Sequence, residues 1–191
     1  MRWEKRNKVM AIPVIYTPDG PRLIAVRDAN YKEWTFATGG CKRRENPANC
    51  AIRELYEETR GIIDLGGKYY YRKYFTFEDR RRSKSELAQD RERGIKVINI
   101  YHVYVISVDI NPSDENGIIT KFDEHKKTMA KLKETNSPFY KKDMDETDKI
   151  AFININNLNR YKWWDLVKEK VLDTGALHNA ISMQDFKKTR Y

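Results

Sequence analysis

An α/β fold built on a mixed β-sheet is what this sequence predicts. Three observations carry the prediction. Runs rich in β-branched and aromatic residues recur at 8–16, 22–27, 68–77, 95–108 and 149–155. An amphipathic helical stretch, from Asn46-Pro47 to about Arg60, lies between the second and third of them. Further helical spacing follows at 109–145 and beyond Tyr161, so strands and helices alternate irregularly along the chain.

Residues 8–16 (Lys-Val-Met-Ala-Ile-Pro-Val-Ile-Tyr) end at Thr17-Pro18-Asp19-Gly20-Pro21, which is turn chemistry, and 22–27 resume the extended pattern, predicting a hairpin. After Trp34-Thr35-Phe36 come Gly39 and Gly40. Asn46 then serves as N-cap, with Pro47 in the first helical position. Ala48, Ala51, Ile52, Leu55 and Thr59 share one side of the helix, which places Glu54, Glu57 and Glu58 beside the buried stripe rather than on it. Residues 68–77 and 95–108 read as a long hairpin with a charged excursion, 78–94, at its tip. A second polar insertion, 109–145, carries Ile119, Phe122, Met129 and Leu132 at helical spacing, and 149–155 form a short strand. A C-terminal helical region, about 161–188, begins near Tyr161 and carries Trp163, Trp164, Leu166, Val167, Val171 and Leu172; at that spacing at least one tryptophan belongs to the core.

At 191 residues the chain suits one domain, 1–191, with insertions and a substantial core. Hydrophobic residues make up 40% and charged residues 34%, the balance of a soluble globular protein. No run of about 18 apolar residues exists, and the Met-Arg-Trp-Glu-Lys start lacks the apolar stretch of a secretion signal, so neither a membrane span nor export is expected. Cys41 and Cys50 fit neither a disulfide framework nor a zinc site, and a reducing, cytoplasmic setting is the simplest. The net charge of +9 raises encounter rates with polyanions and favours nucleic acid or a heavily phosphorylated small molecule as partner. For any single lysine run, solvated surface charge is the plainer explanation. Oligomeric state is not encoded legibly.

Glu54, Glu57 and Glu58 stand at i, i+3 and i+4, within roughly 100° of arc on one helix face, so their charges converge on a small volume. A bound divalent cation is the commonest reason for such repulsion. The wider stretch reads Gly39-x5-Glu45-x7-Arg53-Glu54-Leu55-x-Glu57-Glu58, with Gly61-Ile62 downstream, and it resembles the signature of the Nudix hydrolases, here spanning 39–62. One departure stands at its end: the family pattern places Gly two residues after the last Glu, whereas this chain has Thr59-Arg60-Gly61.

The resemblance implies an α/β/α sandwich and a metal-dependent enzyme that cleaves diphosphate linkages attached to a nucleoside or similar group. Adding water to phosphorus surrounded by negative oxygens requires charge neutralisation and water activation; Mg²⁺ or Mn²⁺ supplies both and takes hard oxygen ligands. By the resemblance Glu57 and Glu58 are principal ligands, Glu54 is a further ligand, and the Gly39 region lends backbone carbonyls. Arg53 and Glu45 hold the loop against the helix. The family often adds a Glu ahead of a later strand as ligand or general base; Glu146, six residues before Phe152, is the first choice, with Glu124 and Asp148 behind it.

Within the superfamily the chain is most similar to the mRNA-decapping branch, including decapping Nudix proteins of large DNA viruses. Trp34-Thr-Phe36, Cys50-Ala-Ile-Arg-Glu54, Tyr56-Glu-Glu-Thr59 and Glu146-x-x-Lys-Ile150 carry that similarity. It implies capped RNA as substrate, release of a methylated nucleoside diphosphate, and a cytoplasmic site of action, which for a viral protein is the infected host cell. The lysines that decapping relatives place around the loop glycine are replaced here by Ala37-Thr38-Gly39-Gly40. Arg22, Arg27, Lys42, Arg43 and Arg44 lie near the loop in sequence, and Arg80, Arg81, Arg82 and Lys84 form a second basic cluster; these are the candidates for phosphate or RNA contacts. Two alternatives stand beside decapping. One is a small-molecule pyrophosphatase acting on ADP-ribose, dinucleoside polyphosphates or diphosphoinositol polyphosphates. The other is a catalytically silent RNA- or protein-binding module, against which the intact acid cluster argues.

Overall fold

The computed structural model describes residues 2–65, 69–182 and 187–190. The strands are β1 (Arg2–Thr17), β2 (Gly20–Asp28), β3 (Trp34–Thr35), β4 (Ala37–Gly40), β5 (Tyr69–Asp79), β6 (Ile95–Ser107), β7 (Thr147–Asn154) and β8 (Lys187–Arg190). They join in one mixed sheet of order β3-β2-β1-β6-β5-β8, with β4 also pairing β1 and β7 also pairing β2. The pairing of β1 with β6 is parallel and runs from Arg2↔Ile95 to Val14↔Ser107; the remaining pairings are antiparallel. Both predicted hairpins are present. The expected start of the second at residue 68 lies outside the described residues.

Alternation along the central strands divides the core in two. Val9, Ala11, Ile24, Val26, Tyr104 and Ile106 face one way, onto Ala48, Ala51 and Leu55 of α1 (Pro47–Glu58) and Phe122 of α3 (Glu115–Glu134). Met10, Ile12, Val14, Leu23, Ala25, Val103 and Val105 face the other way, onto Trp163, Val167, Val171, Leu177 and Ile181. Helices thus cover both faces, which is the sandwich the sequence leads one to expect. The polar insertion does contain a helix, α3, and Phe122 is the side chain that fastens it.

Three expectations need correction. The charged excursion holds a helix, α2 (Lys84–Glu92), set by a capping box in which Ser83 accepts from the Glu86 N–H and Glu86 accepts from the Ser83 N–H. The single C-terminal helix is replaced by a short α4 (Asp165–Val167) that widens into a π-helical stretch, Lys168–Leu172, then breaks at Gly175 (φ +72°) before α5 (Ala176–Ser182). Trp163 precedes it and is buried, its indole N–H donating to the Leu158 carbonyl, and residues 187–190 are a strand; 183–186 lie outside the described residues. Finally, Cys41 and Cys50 are joined in a disulfide, with Cα atoms 5.3 Å apart. The chain leaving β4 doubles back over the first turn of α1, and counting cysteines against multi-bridge frameworks overlooks one local bridge of this kind. Among the described residues no helix is long and apolar enough to cross a membrane.

Candidate active site

The helix that carries the acids begins as its sequence dictates. Asn46 accepts from the Ala48 N–H at 2.8 Å, and Pro47 opens the first turn. Its C-terminal half runs alongside β4, where Gly39 lies opposite Val9. A Cβ on Gly39 would collide with the carboxylate of Glu54, so glycine at this position makes room for an acid rather than for a turn.

Arg53 organises the loop side. Its Nε and Nη2 grip both oxygens of Glu45, each at 2.9 Å, while Nη1 bridges Glu54 (2.7 Å) and Glu57 (2.9 Å), and Nη2 also reaches the Gly40 carbonyl at 3.1 Å. Hydrogen bonding to Arg53 holds the Glu45 carboxyl below its ordinary range, with the Lys42 N–H assisting.

Glu58 departs from expectation. It is only 9% exposed, on the buried side of the helix, because the stripe of Ala51, Leu55 and Thr59 is wide enough to include it. One of its oxygens, Oε2, is buried with no hydrogen-bond partner. Burial raises its pKa well above the carboxylate range, the Glu54 charge adds to this, and the Thr38 N–H pulls weakly the other way. Burial likewise raises Glu54 against the lowering pull of Arg53, and it raises Glu146 with help from Asp143. The three helix acids do not draw to a single point: among the described residues, the grouping within 4.8 Å is Cys41, Glu45 and Cys50. That grouping is already committed to the disulfide and to Arg53.

A cleft of about 640 Å³ opens over Thr38, Gly39 and Glu58 and includes Glu146. Arg60 brings Glu146 there. It stands at the position where the family pattern has Gly and adopts the left-handed conformation (φ +56°) that glycine would take easily. Its guanidinium, 3% exposed with the rest of the residue, donates to the carbonyls of Met144 and Thr147, on either side of Glu146. Thr147 Oγ1 donates in turn to the Glu58 carbonyl at 2.8 Å. The extra residue before Gly61 was the sequence signal for this clasp.

The other candidates are scattered. Arg22 binds Glu115 at 2.8 Å at the far end of β2. Lys42 and Arg43 are exposed on the loop between β4 and α1, and Glu124 is exposed on α3. Arg82 is nearly buried against Asp90 and Glu86; Arg81 lines the cleft but is held by Asp79 and Glu169; Arg80 is exposed beyond it. Arg27 makes a forked contact with Asp148 at 2.8 and 2.9 Å. Burial alone would raise the Asp148 carboxyl, but bonds from Arg27 and Lys32 outweigh it and hold it at about 2. Stability from this group is therefore complete above its ordinary value of 3.8 and is lost as pH falls from there towards 2. Asp148→Asn should lower stability by about 1–2 kcal/mol at pH 7, allowing for screening, and by almost nothing near pH 2; urea melts at the two pH values check this.

Trp164, which the sequence offers with Trp163 as a stacking candidate, lines the cleft, but sequence reasoning did not find the other lining residues: Asp28, Tyr31, Glu33 and Asp165 on one side, Lys8, Asp79, Asn99 and Tyr101 on the other. They come from segments far apart in the chain, and nothing local marks them.

A carboxylate helix packed on a glycine strand, with a buried acid facing an open cleft and a second acid delivered from a neighbouring loop, defines a hydrolase of phosphoanhydrides. The NUDIX domain family matches residues 5–146, and the chain belongs to the Nudix family. It is a pyrophosphatase-type hydrolase, and such enzymes generally use divalent metal ions and phosphate-rich substrates. Among solved structures, a Nudix hydrolase of M. smegmatis is similar at TM-score 0.56 and 7% identity, covering 94% of this chain and 90% of its own. The C. elegans Ap4A hydrolase is similar at TM-score 0.53 and 10% identity, covering 94% and 97%. At these identities the likeness shows the fold alone. No curated protein matches the sequence.

The residues present fit a hard cation. They are carboxylates without competing thiol or imidazole, one has a buried oxygen that lacks a donor, and Gly39 gives the Glu54 carboxylate room to pack against its backbone. Gly39→Ala tests that space. The backbone there is not left-handed, so alanine is conformationally acceptable, and the melting temperature should hold. Displacing the Glu54 carboxylate should nevertheless cost about 10- to 100-fold in kcat.

Proposed function

We propose that this Nudix hydrolase removes the 5′ cap of RNA, releasing a methylated nucleoside diphosphate, with Mg²⁺ or Mn²⁺ held by Glu54, Glu57, Glu58 and the Gly39 carbonyl. The ion supplies charge neutralisation at the phosphates and an acidified water. The chain's own residues do the rest. Arg53 fixes the angle of Glu54 and Glu57, and Arg60 and Thr147 tie the backbone on either side of Glu146 to the end of the helix that carries Glu58. Glu146, an exposed acid that lines the cleft and whose pKa is raised by partial desolvation, is suited to take a proton from water there.

The observation that carries the capped-RNA reading is the uneven charge of the cleft. The side built from the β2–β3 connection and the start of α4 offers Asp28, Glu33 and Asp165 with the rings of Tyr31 and Trp164; no cation is among its lining residues, and of the three acids Glu33 is ion-paired, with Lys162 at 3.1 Å. A purine methylated at N7 is flat and positively charged, and acids with aromatic faces suit it. The opposite side, from β1, β5, β6 and the following loop, mixes Lys8, Arg81 and Arg82 with Asp79 and Glu86. A diphosphoinositol polyphosphate would meet the carboxylates of Asp28 and Asp165, which form no ion pair among the described residues, on the first side.

Cap-labelled RNA, ADP-ribose and a dinucleoside polyphosphate, offered in parallel with either ion, test the proposal. Release of the methylated nucleoside diphosphate from RNA, with little turnover of the small substrates, is the expected result. Comparable turnover of the dinucleoside polyphosphate would instead assign the site to small nucleotides, the substrate class named for the C. elegans relative.

A further inference from the structure

Beyond the cleft lies an exposed aromatic that the chemistry does not use. Trp3, near the start of β1, is 54% exposed, the guanidinium of Arg80 stands 5.5 Å from its ring centre and the ammonium of Lys96 5.4 Å. The register explains the neighbours: Trp3 pairs with Lys96 across β1 and β6, and Arg80 follows the end of β5. A hollow of about 410 Å³ beside the indole is lined by Arg80, Arg91, Lys96 and Leu87, among others. Arg80, Arg91 and Lys96 are exposed and form no ion pair among the described residues, whereas Arg82 and Asp90 in the same hollow neutralise each other. This is an isolated large apolar surface inside a field of uncommitted positive charge.

The hollow connects to the cleft. A shallow depression lined by Glu78, Asp79, Arg80, Arg81 and Lys170 lies between them, sharing Asp79 and Arg81 with the cleft and Arg80 with the tryptophan hollow. A chain leaving the cleft on this mixed-charge side therefore passes Arg81, which Asp79 and Glu169 hold, then Arg80 and Lys170 beside Glu78, before it reaches Trp3.

We propose that Trp3, Arg80 and Lys96 form a stacking platform for single-stranded RNA, receiving the body of the transcript whose capped end occupies the cleft. A base lying on the open part of the indole would displace the two cations towards the flanking phosphates. Stacking gives affinity without sequence preference, and the cations make that affinity salt-dependent. An acidic peptide would find the cations but has no flat ring for the indole, so the combination favours nucleic acid. The platform rests on the capped-RNA reading for its role in the reaction, but RNA binding by itself can be tested without any cleavage.

The test uses an uncapped single-stranded RNA of about 12 nucleotides, a length suited to one binding groove, and a capped dinucleotide. In the full chain, Trp3→Ala should weaken binding of the uncapped RNA about tenfold, and Trp3→Phe should restore most of it. Arg80→Ala with Lys96→Ala should reduce the slope of log affinity against log salt by about 1.4. Turnover of the capped dinucleotide should be unchanged in all three, while KM for long capped RNA rises and kcat does not. Unchanged RNA affinity and salt slope in Trp3→Ala and in the double variant would overturn the platform, as would a wild-type chain that does not bind the RNA. Should Trp3→Ala fail to fold, Trp3→Phe and the double variant decide the matter. If the variants lose RNA affinity while no cap is cleaved by the wild type, the platform stands and the decapping reading fails.

Discussion

Glu58→Gln will reduce turnover about 10³-fold, equivalent to roughly 4 kcal/mol of barrier, and will raise the melting temperature of the metal-free protein. The loss follows from removing the carboxylate that, alone among the described residues, both faces the cleft and holds a buried, unpartnered oxygen. The gain in stability follows from the same burial. Because the folded protein holds this carboxyl above its ordinary value of 4.5, the group's contribution to stability is complete below that value. It is lost as pH rises through 4.5 towards the folded pKa, where the buried carboxyl must carry charge. The stability difference between the Glu58→Gln variant and the wild type should therefore vanish near pH 4 and widen towards neutrality. Titrating Mn²⁺ should stabilise the wild type more than the variant. Wild-type turnover in Glu58→Gln, or a variant less stable than wild type at pH 7 without metal, would remove Glu58 from the centre of the site.

Arg53→Lys is expected to lower kcat by about 10- to 100-fold and to raise the metal concentration needed for half-maximal activity. Lysine keeps the charge but not the planar fork, and one ammonium cannot hold both oxygens of Glu45 while bridging Glu54 and Glu57. Arg53→Ala goes further, leaving three carboxylates without their shared cation, and should cost about 3 kcal/mol of stability. The two variants separate positioning from folding: Arg53→Lys should melt near the wild-type temperature yet work poorly. Full activity in Arg53→Lys at limiting metal would mean that the fork contributes charge alone.

What could be read from the sequence was what the chain specifies over short distances. Asn46-Pro47 set the start of α1, and the spacing of Arg53, Glu54, Glu57 and Glu58 set which side chains share its face. The two hairpins were legible from turn residues between extended runs. The burial of Glu58 was not, because an arc of helix shows neighbours but not how far the sheet reaches around them. Nor were the other cleft residues: Asn99, Tyr101 and Asp28 converge only through strand order, and strand order is not written locally. The C-terminal helix misled because Trp163 answers to Trp34 across a bridge between extended segments, so the periodic apolar residues around it serve two different elements.

The parallel union of β1 and β6 bears on how the molecule comes into being. Arg2 through Val14 leave the ribosome well before their longest partner, which begins at Ile95. Until residue 95 and those after it have been made, that segment can do no more than pair with β2 and β4, at four residue pairs each. Closure over so long a loop is slow, and the nascent edge stays open meanwhile. A stop-codon series read out by protease resistance should show protection of the N-terminal strand appearing only once residues 95–107 have emerged.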